Sequence, residues 1–164
     1  MTPLEMQERA MDLVMKHCHW SQAVLVVAQE KLGKKNDDLI KALDPFGGGL
    51  GAHGEVGGAA IGGLAAIGLL FGRDKVGEET DMKMWMYSRE FLKRFKKEIA
   101  GGSLLCRDIV QVNWADPAQV KEYRQGEKFF KCKTLTGKTA GLIGELIERA
   151  KGWLFRKDFG VSIK

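Results

Sequence analysis

The cysteines are the residues of this chain with the most distinctive chemistry, and there are three: Cys18, Cys106 and Cys132. An odd number argues against a framework of structural disulfides. If Ser103 caps a short helix, Cys106 is its third residue, where the helix dipole favours a thiolate. Arg107 follows directly, and Cys132 stands among three lysines: Lys128, Lys131 and Lys133. These surroundings favour a reactive Cys106 that pairs with Cys132 as a catalytic dithiol. Two buried structural thiols are the alternative.

A metal site is a second use for the same thiols. Cys106, Cys132 and His53, with Glu55 nearby in sequence, offer the ligand types that zinc or iron accepts. No spacing rule joins these residues, so the alternative is that His53 is an ordinary loop residue. The sequence keeps both interpretations open.

The segment FGGGLGAHGEVGGAAIGG, residues 46–63, holds nine glycines and contains a GxGxxG match. That dinucleotide-binding pattern requires a preceding strand, whereas a short helix and a proline turn precede it here. The apolar run at 56–71 has sixteen residues, fewer than the roughly twenty of a membrane span. We therefore expect a buried helix in which small residues such as Gly58 admit a second backbone or leave room for a bound group.

The elements that position these residues are all helical. Thr2, Pro3 and Glu5 form a capping box, and apolar residues at three- and four-residue steps extend the first helix to about Leu32. The same signals predict helices at 37–43 and 78–99, short helices beginning at 103 and 116, and a last helix over 136–157. The prediction is an all-α, single-domain helical bundle over residues 1–164 with a central glycine-rich helix.

Composition narrows the class of protein. The chain has 164 residues, 45% of them hydrophobic and 29% charged, with a formal net charge of +5. Its basic residues alternate with apolar ones at helical spacing, which is typical of solvated helix faces, and no nucleic-acid-binding motif accompanies them. The N-terminus lacks the basic patch and apolar run of a signal peptide, so we expect a cytoplasmic protein.

Four stretches carry a resemblance to a known family: SQAVL at 21–25, FGGGLGAHGEVGGAAIGGL at 46–64, LLCRDI at 104–109 and CKTLTGKTAGLIGELI at 132–147. The chain is similar to small helical redox-active proteins named for a C…CGAxxG…C…C pattern. The resemblance covers nearly the whole sequence. It implies that Cys106 and Cys132 are the third and fourth family cysteines. Trp20 then stands at the first position and Gly57 at the second.

The resemblance also implies a function. Four thiolates would make a metal or [2Fe–2S] site, or two thiol–disulfide pairs, but two thiolates alone do not hold a cluster. We therefore expect a redox-associated protein in which Cys106 and Cys132 act as a dithiol or as part of a metal or iron–sulfur site. Trp20, Gly57 and Gly58 would border any bound cofactor. The alternative is a cysteine-depleted, non-catalytic subunit or ligand-binding module of a redox assembly. The expected partners are a second copy of the chain or a redox partner protein.

Overall fold

The computed structural model describes residues 1–158, with side chains through residue 152. This part of the chain forms eight α-helices: α1 Pro3–Met15, α2 Trp20–Leu32, α3 Asp37–Ala42, α4 Gly58–Phe71, α5 Met82–Arg94, α6 Cys106–Val110, α7 Pro117–Gln125 and α8 Glu127–Asp158. It also contains a 3₁₀ turn at Asp44–Phe46 and a π-helical turn at Phe95–Ile99. The all-α prediction is confirmed. Residues 159–164 of the predicted domain lie outside the described residues.

The first helix begins as predicted but ends earlier. The Glu5 amide donates to Thr2 Oγ1 at 3.2 Å and the Thr2 amide donates to Glu5 Oε2 at 2.6 Å, which confirms the capping box. The prediction of one helix to Leu32 is wrong, because His17 adopts φ = 67° and ends α1. The chain then reverses, and α1 and α2 form a hairpin that an Arg9–Glu30 ion pair of 2.9 Å crosses. The reversal lets both helices pack against α8.

Helix α4 lies against α2, α5 and α8. Two of its glycines are required by close packing: a Cβ atom on Gly62 would collide with the Ser21 carbonyl, and one on Gly63 would collide with the Phe91 ring. Because α4 begins at Gly58, the densest glycine run, 47–57, precedes it and forms a loop of successive turns. No helix within residues 1–158 has the length and apolarity that a membrane span requires.

Helix α8 begins nine residues before the predicted start at 136, so that prediction is wrong. Thr136 and Gly137 are not a helix start but interior packing positions. The Thr136 hydroxyl donates to the Cys132 carbonyl at 2.9 Å, one turn back in the same helix. A Cβ atom on Gly137 would lie 2.9 Å from the Gln7 carbonyl oxygen of α1. Cys132 is therefore held on a long, well-packed helix.

Helix α6 also differs from the prediction. Ser103 does not cap it; the Ser103 hydroxyl accepts the Leu105 amide at 3.0 Å, and Leu105 is the N-cap residue. Cys106 is consequently the first residue of a five-residue helix rather than the third. The helix begins later because the backbone before it pairs with the end of the glycine-rich loop.

Buried side chains form two clusters. The larger lies between α1, α2, α4, α5 and α8 and includes Phe91, Ile143 and Leu146. The smaller consists of Cys106, Val110, Val112, Tyr123 and Cys132, with Trp20 and Trp114 packed against it. The second cluster holds both cysteines singled out from the sequence.

Candidate functional site

A short antiparallel clasp brings the glycine motif to Cys106. It consists of two paired segments: residues 54–57 and residues 104–107. The Gly57 amide donates to the Leu104 carbonyl at 2.9 Å, and the Cys106 amide donates to the Glu55 carbonyl at 2.7 Å. On the solvent side the Arg107 guanidinium pairs with the Glu55 carboxylate at 2.6 Å. The clasp therefore fixes the position of Cys106 against the segment that contains Gly57.

The glycine-rich loop packs closely behind Cys106. Gly49 has φ = 76°, a conformation that residues with a side chain rarely adopt. A Cβ atom there would lie 2.7 Å from Cys106 Cβ and 2.6 Å from the Glu55 amide nitrogen. Only glycine fits at this position without a shift of the cysteine.

One small cavity, of about 30 Å³, joins the predicted site residues. Among its lining residues are the four positions matched to the family cysteines, together with a neighbouring glycine: Trp20, Gly57, Gly58, Cys106 and Cys132. That volume accommodates one or two water molecules. The structure thus assembles in one place residues that are up to 112 positions apart in sequence (132 minus 20).

His53 is the predicted site residue that the structure does not bring to this cavity. Positive φ angles at Gly51 and Gly54 turn the tip of the loop outward, and His53 Nδ1 contacts the Gly51 carbonyl at 2.9 Å. Its side chain is exposed and borders a surface groove beside Arg107. Within residues 1–158 no three His, Cys, Asp or Glu side chains are grouped as metal ligands would be. The residues present therefore do not fit the predicted metal or iron–sulfur site.

Both thiols are free and buried, with 7% of each residue exposed. Burial raises the pKa of Cys106 above its usual value. Burial raises the pKa of Cys132 to about 11, and the neighbouring Cys106 adds to the increase. The thiolate expected at Cys106 from the helix dipole is therefore not favoured, because burial outweighs the dipole of a five-residue helix.

Two aromatic hydrogen-bond donors lower the pKa values of the thiols, opposing the effect of burial. The Trp114 indole lowers the pKa of Cys106 and the Tyr123 hydroxyl lowers that of Cys132, and all four residues line the same cavity. Neither reaches hydrogen-bond geometry: Trp114 Nε1, Tyr123 Oη and Trp20 Nε1 are buried without a partner among the described residues. Sequence reasoning missed Trp114 and Tyr123. The sequence signal that could have identified them is that both lie between Cys106 and Cys132 along the chain.

Open grooves lie on two sides of the cavity. On one side an aromatic wall of Trp20, Trp114 and Tyr123, with Trp114 and Tyr123 ring centroids 5.0 Å apart, separates it from a groove of about 930 Å³. On another side Cys132 also borders an open groove of about 710 Å³, called here the Cys132 groove; its residues include Ile99, Asp108, Glu127, Phe130, Lys131 and Lys138. The site is thus a small cavity shared by both cysteines, and one of them, Cys132, also lines an open groove.

Fold and site together define a small helical protein with two buried cysteines around one cavity. A family model described as "Putative redox-active protein (C_GCAxxG_C_C)" matches residues 17–146, and the chain belongs to this family. The matched range contains Trp20, Cys106 and Cys132, and the glycine motif falls at residues 57–62. Neither the curated proteins nor the solved structures yield a match to the chain.

Proposed function

We propose that Cys106 and Cys132 form a dithiol–disulfide redox pair. The observation that supports this most directly is that the two thiols line the same small cavity in a chain of a redox-active family. Thiols with raised pKa values are poor nucleophiles at rest. The Trp114 and Tyr123 donors would stabilise the thiolates that form during exchange, because both line the cavity with the two thiols.

The proposed reaction is thiol–disulfide exchange with a disulfide on a redox partner protein. The two cysteines lose two electrons and two protons and form one S–S bond. The partner disulfide accepts both electrons and both protons and becomes two thiols. The reverse reaction would oxidise a partner dithiol, so the direction is set by the relative reduction potentials.

A metal or cluster is not part of this proposal. Of the four family cysteine positions, two carry thiols, and Trp20 and Gly57 have no ligand atom in their side chains. A tetrahedral zinc or iron site requires about four ligands. The donor set around this cavity does not supply them.

The proposed setting is the cytoplasm, where glutathione and thioredoxin systems would keep the pair reduced at rest. A homodimer stays a prediction, and sedimentation velocity of the purified protein tests it. The redox proposal does not require a second copy, because both cysteines belong to one chain.

A second candidate function is a non-catalytic ligand-binding module. The observation in its favour is the aromatic wall, which borders a groove of about 930 Å³, a size suited to a small organic ligand. In this alternative Trp20 contributes contact area in place of a thiol. A ligand that raises the melting temperature equally in the parent and in a Cys106→Ala/Cys132→Ala variant would favour it.

Counting thiols tests the redox proposal. After treatment with glutathione disulfide and removal of the reagent, the native protein should lose two of its three thiols and gain no mass. Cys18→Ser should lose both of its thiols in the same way. Cys106→Ala and Cys132→Ala should form no internal disulfide. Retention of all three thiols by the folded parent would contradict the proposal.

A further inference from the structure

We infer that Cys132 is the cysteine that attacks the partner disulfide and that Cys106 is the resolving cysteine. This assignment rests on the proposed redox function and gives the two thiols different roles. Its basis is the position of each residue relative to the open surface.

Cys106 is packed against the clasp, the glycine-rich loop and the small cavity. The clasp covers its backbone through the Glu55 hydrogen bond, and Gly49 approaches its Cβ too closely to admit another atom. Trp114 lines the cavity beside it. Cys106 borders this small cavity and is absent from the residues of the Cys132 groove.

Cys132 borders both the small cavity and the Cys132 groove. The groove is open to solvent and its volume of about 710 Å³ is large enough for a disulfide-bearing peptide segment. Phe130 lines the groove and is 53% exposed, so it offers an apolar contact to such a segment. Residues 54–57 and 104–107 of the clasp do not line this groove, whereas Cys132 does.

The groove carries similar numbers of positive and negative side chains, so we expect it to accept a disulfide of either charge or of none. Lys131 and Lys138 face solvent there, and Asp108 and Glu127 balance them. Asp108 is also held by the Ser103 hydroxyl at 2.6 Å. The substrate class is therefore an accessible disulfide on a protein or a small molecule, recognised by access rather than by net charge.

The exchange then runs in two steps. The Cys132 thiol releases its proton to solvent in the groove, and its thiolate attacks one sulfur of the partner disulfide; the S–S bond breaks and a partner thiolate leaves. Cys106, as a thiolate, next attacks the Cys132 sulfur across the cavity. The mixed disulfide breaks, the Cys106–Cys132 bond forms, and the second partner thiolate takes up the proton that Cys106 released.

Trapping the mixed disulfide tests the assignment. Cys18→Ser/Cys106→Ala and Cys18→Ser/Cys132→Ala are each incubated with glutathione disulfide and with neutral 2-hydroxyethyl disulfide, and intact masses are followed over time. We expect Cys132 to gain one adduct from either reagent at least about tenfold faster than Cys106. Both variants should react at similar rates in guanidinium chloride, which controls for the thiols themselves. Thermal melts confirm that both variants fold. An equal or faster rate at Cys106 in the folded protein would overturn the assignment.

The Cys18→Ser parent separates this inference from the proposed function. If the parent forms an internal disulfide but Cys106 reacts faster, the redox pair stands and the order of attack is wrong. If Cys132 is trapped faster but the parent forms no internal disulfide, the proposed function fails and only the access to Cys132 is supported.

Discussion

The Cys106 amide donates a 2.7 Å hydrogen bond to the Glu55 carbonyl, two residues before Gly57. This bond belongs to the clasp that holds the start of α6 against the glycine motif, and it brings Gly57 and Cys106 to the same cavity. Loop, clasp and cysteine therefore act as one unit.

Gly49→Ala should be strongly destabilising. The new Cβ would lie 2.7 Å from Cys106 Cβ, and the residue would have to keep φ = 76°. We expect a loss of about 3 kcal/mol or more in the free energy of unfolding, measured by denaturant titration. Gly101→Ala is the matched control, because Gly101 also has a positive φ, 68°, but no atom within 4 Å of the added Cβ. It should cost only about 1–2 kcal/mol. Equal losses in the two variants would contradict close packing behind Cys106.

Trp20→Cys/Gly57→Cys should create a metal site that the parent lacks. Both positions line the cavity, and a Cβ atom on Gly57 would meet only the Leu104 carbonyl, at 3.7 Å. Four thiolates around one cavity match the ligand preference of zinc, cobalt and iron. We expect thiolate-to-cobalt charge-transfer absorption on addition of Co²⁺ to the double variant and none with the parent.

The control for this gain is Trp20→Cys/Gly58→Cys. A Cβ atom on Gly58 would lie 3.2 Å from both the Phe46 carbonyl oxygen and the Ser21 amide nitrogen, so a side chain fits less well there. Cobalt binding that is equal in both double variants would contradict Gly57 as the position with space for a thiol.

The raised pKa of Cys132 predicts a loss of stability at alkaline pH. The folded protein keeps the thiol proton up to about pH 11, whereas the unfolded chain releases it near the usual thiol pKa of about 8.5. The unfolded state therefore binds fewer protons in this window, and the free energy of unfolding falls as the pH rises from about 8.5 to 11. Cys132→Ala should show a shallower decrease over the same range, measured by urea unfolding. Parallel curves for the parent and Cys132→Ala would contradict a buried, protonated thiol.

Tyr123→Phe should separate reactivity from stability. The Tyr123 hydroxyl is buried without a hydrogen-bond partner, so its removal should change the free energy of unfolding by less than about 1 kcal/mol. It should raise the pKa of Cys132 further, because the hydroxyl lowers it, and so slow alkylation of Cys132 by iodoacetamide. Tyr87→Phe, in the larger core cluster, is the control and should leave that rate unchanged. Faster alkylation in Tyr123→Phe would show that the hydroxyl does not assist the thiolate.

Local signals predicted much of the fold. The Thr2 capping box and the short helices predicted at 37–43 and from 116 appear in the structure, where Asn36 caps α3 and Asp116 caps α7. Each cap depends on residues within one turn. The break at His17 and the start of α8 did not follow from local signals. His17 takes the left-handed position at the end of α1, where the Cys18 amide donates to the Leu13 carbonyl at 3.0 Å, and glycine is the usual signal for that position. Gly137 is set by contact with α1.

The site, like the fold, was predictable from the sequence only in part. Trp20, Gly57, Cys106 and Cys132 were identified through the family resemblance, and the structure places them around one cavity. The clasp, the exposed position of His53 and the donors beside the thiols were not predictable. The clasp depends on contacts between segments about 50 residues apart, as between Glu55 and Arg107.

A redox titration of the folded Cys18→Ser protein tests the central claim most directly. Samples equilibrated in glutathione buffers of graded potential are acid-quenched, alkylated and digested, and the peptide that links Cys106 to Cys132 is quantified by mass spectrometry. We expect a single two-electron transition in which this linked peptide replaces both free cysteines. Absence of the linked peptide at every potential, with both cysteines still alkylated, would contradict the account.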